Sequence, residues 1–148
     1  MKKILFVASE GVPFIKTGGL ADVVGSLPKY LDKNQFDVRV ILPKYMCMKE
    51  EYKKQLNYIT HFYMDLGWRS QYVGVLETIY EGIHFYFIDN EYYFAGFKPY
   101  GNIYEDVEKF AFFSKAALSV LPVIEFQPDI IHCHDWQTGL VPVFLKDK

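Results

Sequence analysis

Two short clusters carry residue types able to do chemistry. The first is Lys16-Thr17-Gly18-Gly19-Leu20-Ala21-Asp22. It follows the apolar run Ile4, Leu5, Phe6, Val7 and Ala8. It opens a pattern in which Leu20, Val23, Val24, Leu27 and Leu31 recur at helical spacing. Adjacent glycines at a helix start leave its first N–H groups unobstructed and let a ligand come closer than a Cβ permits. A helix N-terminus offers free donors and a partial positive charge, a natural seat for phosphate, and Lys16 adds a mobile full charge beside it. The same stretch also reads as ordinary glycine punctuation between strand and helix. Neither the P-loop pattern nor GxGxxG is present, so the spacing gives an anion-binding loop of unspecified type.

The second cluster is His132-Cys133-His134-Asp135, at the end of the run that begins with Asp129, Ile130 and Ile131. In a strand His132 and His134 share one face and Cys133 takes the other. Two imidazoles begin a metal site only if a further ligand joins them. The two other histidines, His61 and His84, belong to no ligand cluster. His132 reads as a buried, hydrogen-bonded core residue. His134, one step beyond the apolar run, is better placed to meet a ligand, and Asp135 suits a helix cap.

The elements that must position these clusters follow from periodicity. Residues 4–8 form a continuous apolar run, as in a strand buried on both faces. A helix follows from Leu20, with Pro28 expected to kink or restart it. Asp37 to Leu42 is a second strand closed by Pro43, so the order is β-α-β and the pair should be parallel. Residues 58–64 and 71–79 alternate as short strands do, and Glu81-Gly82 joins the 71–80 run to 83–88 as a hairpin. Asp89 to Tyr104 is a loop dense in aromatics. From Glu105 to Leu121 the pattern is helical, with Val107, Phe110, Ala111, Ala117, Leu118 and Leu121 on a broad apolar face. Residues 136–144 start a last helix. The fold class is α/β, a mostly parallel sheet with an antiparallel hairpin excursion. Ligands of such sheets bind outside the carboxyl ends of the strands, where both polar clusters lie.

The totals narrow the field. The chain has 148 residues, 51% hydrophobic and 23% charged, with a net charge of −2 and a pI near 6.1. One domain with one core is expected, and no electrostatic case exists for nucleic acid or an anionic membrane. Twelve Tyr and 13 Phe are many; most must be core, and the tyrosines also suit carbohydrate stacking. Cys47 and Cys133 are far apart, so a disulfide framework is not expected and a reducing compartment is. The first apolar run is too short for a signal segment or a membrane span, which places the protein in the cytoplasm.

The residues also carry a resemblance. Phe6-Val7-Ala8-Ser9-Glu10 followed by Lys16 to Val23 resembles the opening of bacterial glycogen synthases and plant starch synthases. Gln71-Tyr72-Val73-Gly74-Val75, Phe87-Ile88-Asp89-Asn90, Phe112-Phe113-Ser114 and His134-Asp135-Trp136-Gln137-Thr138-Gly139-Leu140 agree in order along the whole chain. The KxGGL and HDW motifs together are highly specific. Where the family has Asp-Asn and Arg-Phe pairs before its aromatic helix, this chain has Asp106-Val107 and Lys109-Phe110.

The resemblance implies part of the N-terminal domain of a two-domain GT-B glucosyltransferase, residues 1–148 being an incomplete Rossmann-like domain without the C-terminal nucleotide-binding one. Such enzymes transfer glucose from ADP-glucose to the 4-hydroxyl at the end of an α-1,4-glucan such as glycogen, with retention, and without a metal or other cofactor. By that likeness Lys16 contacts the donor diphosphate, Gly18 and Gly19 offer backbone donors beside it, and Asp22 lies close by. His134 touches the transferred glucosyl unit, and Asp106 is a sugar or acceptor contact. The isolated chain is then expected to be inactive and to self-associate. A stand-alone or split-enzyme carbohydrate- or nucleotide-binding module is the alternative, and a metal-dependent hydrolase built on His132 and His134 is a third.

Overall fold

The computed structural model describes residues 1–67, 69–96 and 99–146, with Trp136 described by its backbone alone. Phe97 and Lys98 of the aromatic loop, and the last two residues, lie outside the described part.

Strand β1 (Lys2–Val7) pairs in parallel with β2 (Phe36–Pro43) on one side and with β6 (Ile130–Cys133) on the other. In register, Val7 faces Ile41 across one edge and Cys133 across the other. Strands β3 (Asn57–Leu66), β4 (Arg69–Tyr80) and β5 (Ile83–Asp89) run antiparallel to one another in turn. β5 then returns parallel to β2. The sheet order is β3-β4-β5-β2-β1-β6, so three of its five pairings are parallel. Glu81 and Gly82 form the hairpin turn, both at positive φ (49° and 79°), the conformation that a two-residue primed turn requires.

The apolar run of β1 is continuous because helices cover the sheet on both sides. Leu5 and Val7 pack with Ile41, Val75 and Ile88 against α3 (Ile103–Val120) through Phe110, Phe113 and Ala117. Ile4, Phe6 and Ala8 pack with Val40, Leu42 and Phe87 against Val24 of α1 (Gly19–Tyr30). Burying each such side chain stabilises by about 1.5–3 kcal/mol. Short helices α2 (Glu50–Lys53) and α4 (Val141–Lys146) complete the fold.

Several expectations are corrected. Pro28 lies inside α1 without restarting it, because the helix ends two residues later at Tyr30, where few bonds remain to lose. Val23 and Val107, expected on apolar helix faces, are about half exposed. Helix α2 carried no periodic signal in four residues. The last helix divides: residues 136–138 form one 3₁₀ turn, and the α-helix begins at Val141. Asp135 directly precedes that 3₁₀ turn; it sits at φ 65° and its carbonyl accepts the Thr138 N–H at 3.4 Å. Among the described residues no helix is long and apolar enough to cross a membrane.

Candidate active site

The two clusters follow the carboxyl ends of the neighbouring parallel strands β1 and β6. After β1 the chain passes through Ser9 and Glu10 into the loop that leads to α1. Glu10 is 2% exposed. Its carboxylate accepts the N–H of Gly18 at 3.1 Å, the N–H of Ala21 at 3.2 Å, the Tyr100 hydroxyl at 2.8 Å and the Thr17 hydroxyl. An internal acid thus occupies part of the helix N-terminus that the sequence offers to an external anion. The N–H groups of Gly19 and Leu20 make no hydrogen bond among the described residues. A Cβ added to Gly19 would meet no atom within 4 Å, so the fold itself does not require glycine there. Lys16 is exposed, its Nζ 2.8 Å from Asp22 Oδ2 and 3.0 Å from Oδ1.

The loop is held to α1 by a close approach. A Cβ on Gly25 would lie 2.2 Å from Val12 Cγ2 and 2.8 Å from the Val12 carbonyl oxygen. The Val12 N–H donates to the Ala21 carbonyl at 3.0 Å. Only glycine at position 25 lets loop and helix meet this way.

On the β6 side, the His134 N–H donates to the Val7 carbonyl at 3.1 Å, which fixes the residue beside the end of β1. Its ring stacks on Phe6 (centroids 5.5 Å apart) and on His132 (4.2 Å). The shared face read from the alternation is therefore observed. His132, however, is exposed and not a core residue; β6 is an edge strand of the described sheet. His134 is 7% exposed, and among the described residues its Nε2 has no hydrogen-bond partner, nor has Gln137 Oε1 three residues on. Burial, with His132 adding a like charge, lowers the His134 pKa to about 4, so its imidazole is neutral at neutral pH. Buried polar atoms without partners are uncommon and point to a ligand or water that completes them. Among the described residues, no group of three His, Cys, Asp or Glu side chains gathers as metal ligands would.

Asp106 is engaged by partners within the chain. It is 4% exposed, accepts the Gly101 N–H at 2.9 Å and pairs with Lys109 at 3.3 Å. Lys109 in turn donates to the Pro99 carbonyl at 2.8 Å. Both bonds flank Tyr100, whose hydroxyl reaches Glu10 and, at 2.6 Å, Ser9. Buried Tyr45 donates to the Ser9 carbonyl at 2.7 Å. Burial raises the pKa of both phenols, so each stays a neutral donor. Glu10 and Tyr100 were given no role by sequence reasoning. Their signal is faint: one acid and one tyrosine, 90 residues apart, in loops without periodicity.

Comparison with known proteins fits this arrangement. The model of a family described as the starch synthase catalytic domain matches residues 3–148. The chain belongs to that family. As a starch synthase domain it is 76% identical over its whole length to a glycogen synthase of Lachnoclostridium phytofermentans, and 68% identical to one of Lachnospira eligens. It spans 31% of the length of each. Among solved structures it is similar to the catalytic domain of starch synthase IV from Arabidopsis thaliana bound to ADP and acarbose. That likeness has a TM-score of 0.87 and 33% identity, covering 99% of this chain and 30% of the other. The mixed, mostly parallel α/β sheet is the family's.

Proposed function

We propose that this chain belongs to a glycogen synthase that transfers glucose from ADP-glucose to the non-reducing 4-hydroxyl of an α-1,4-glucan with retention. The carrying observation is the juxtaposition of Lys16 and Gly19 with His134 on neighbouring strand ends, within a starch synthase domain. On this reading Lys16 and the free Gly19 N–H meet the donor diphosphate, with Gly18 beside them and Asp22 as the counter-ion of Lys16 until the donor arrives. The leaving diphosphate gains negative charge as the glycosidic bond breaks, and a cation plus fixed N–H dipoles stabilise that state. The protein supplies this charge itself, without a metal ion. His134, neutral and with Nε2 unpartnered, hydrogen-bonds the glucosyl unit. The ADP bound to the Arabidopsis relative supports an adenine nucleotide donor. The remaining nucleotide contacts come from a second domain beyond the 148 residues, in a cytoplasmic enzyme. The isolated chain is inactive and self-associates.

The test is glucosyl transfer from labelled ADP-glucose to glycogen by the full-length gene product, its Lys16→Ala variant and this chain alone. Transfer by the full product, lowered about 10²–10³-fold by Lys16→Ala and absent from the chain alone, is expected. Transfer indifferent to Lys16 would return the loop to ordinary punctuation. Binding of glucan or nucleotide with no transfer by the full product favours a binding module.

A further inference from the structure

We propose that Glu10 is a positioning residue for the donor site: its buried carboxylate ties the Lys16–Gly19 loop to the end of β1 and leaves the Gly19 and Leu20 N–H groups for the diphosphate. The inference rests on the reading of that loop as the donor site.

A carboxylate that is 2% exposed is costly to bury unless donors surround it. Glu10 has four: the Gly18 and Ala21 N–H groups and the Thr17 and Tyr100 hydroxyls. They come from both ends of the glycine loop and from a loop 90 residues away. Tyr100 spends its one proton on Glu10, so at their 2.6 Å contact the Ser9 hydroxyl is the donor. Tyr100 is itself held on both flanks, through Gly101 by Asp106 and through Pro99 by Lys109. The result is one connected path from the start of α3 to the glycine loop. In it the acid at position 106 acts through Tyr100.

This arrangement divides the donors of α1. Charge at a helix N-terminus is stabilised whether it belongs to a ligand or to the chain. Glu10 takes the Gly18 and Ala21 donors on the buried side. Gly19, where an added Cβ would meet nothing, opens on the other side with Lys16 beside it. The diphosphate therefore meets the outer rim of the loop, and Glu10 decides which donors compose that rim.

The experiment measures donor KM, kcat, acceptor KM and ADP affinity for the full-length enzyme carrying Glu10→Ala, Glu10→Gln, Thr17→Val or Tyr100→Phe. Glu10→Ala is expected to raise donor KM and weaken ADP about 10- to 100-fold, the effect of losing hydrogen bonds to a charged group. Its kcat and acceptor KM should move far less. Glu10→Gln should restore donor KM to within about threefold: its oxygen still accepts both N–H groups, and both hydroxyls accept from its amide. Thr17→Val and Tyr100→Phe, which each remove one hydrogen bond to Glu10 and leave the carboxylate in place, should raise donor KM several-fold. They carry the test if Glu10→Ala does not fold. A lower melting temperature with unchanged donor KM and ADP affinity in all variants overturns the proposal. So does a Gln variant as impaired as Ala through kcat alone, which would make Glu10 a chemical participant. If the wild type transfers no glucose, the functional reading fails, and the ADP affinities of wild type and Glu10→Ala still decide the role of Glu10.

Discussion

On the β1 side the polar groups pair with one another before any ligand arrives, whereas on the β6 side they are buried and left open. Lys16 holds Asp22, and Glu10 holds part of the N-terminus of α1. Among the described residues His134 Nε2 and Gln137 Oε1 have no partner. The difference follows from exposure. Lys16 and Asp22 have side chains 53% and 55% exposed, where a pair forms and exchanges at little cost. At the buried end of β6, an unmet polar group costs about 1–3 kcal/mol until a partner comes. One side can thus trade its partners for a charged ligand, and the other gains from a neutral one. On the proposed reading, charge neutralisation falls to the β1 side and sugar recognition to the β6 side.

The largest expected effect on this comparison concerns His134. Its folded pKa near 4 lies below the ordinary 6.5, so the unfolded chain binds the proton more readily. The neutral ring's stability contribution is whole above pH 6.5 and fades as pH falls through 4, by about 3 kcal/mol at most. Denaturant unfolding of wild type and His134→Gln across pH 7 to 4 should show the wild type losing this much more than the variant. Parallel curves would mean that burial does not hold the ring neutral.

A pair of glycines on α1 separates fold from ligand. Gly25→Ala should destabilise by about 1–3 kcal/mol, because its Cβ meets the backbone of Val12. Gly19→Ala should leave melting unchanged while weakening ADP binding by the full-length protein about tenfold, since nothing of the chain occupies that space. Equal ADP affinity in Gly19→Ala and wild type would remove the ligand from that side of the loop. The smallest effect belongs to the surface pair: Asp22→Asn should change stability by less than about 1 kcal/mol, read from the same unfolding curves. A larger loss would show Asp22 to be part of the fold and not an exchangeable counter-ion.

A second concavity sharpens the contrast. On the other face of β6, Ile131 and Cys133 line an apolar cavity of about 850 Å³ with Leu118, Phe126, Val141 and Leu145. Lys3, Glu125 and Asp129 also line it, and burial pushes its Cys133 thiol up. Successive residues of one strand therefore build two unlike surfaces, as the period of two requires.

Much of the fold was legible because period and punctuation agree with it. The continuous run of β1, the Asp37 to Leu42 strand, the Glu81-Gly82 turn and the long aromatic helix all stand within a few residues of where the pattern puts them. Lys16, Gly18, Gly19, Asp22 and His134 stand out as candidates in the sequence because they follow the ends of apolar runs. Helix α2 was not legible, since four residues hold barely one turn. Nor was the exposure of His132, whose strand β6 lies at an edge of the described sheet.

By itself the sequence determined what is local: the strand–glycine–helix order, the alternation that sets His132 and His134 on one face, and the family to which these motifs point. The tertiary structure decided what spans distance. Only folding brings Tyr100 to Glu10, sets Asp106 and Lys109 behind it, and lays the Val7 carbonyl against the His134 N–H. Neighbour-to-neighbour periodicity encodes which face a side chain takes, whereas a hydrogen bond between loops 90 residues apart has no period to read.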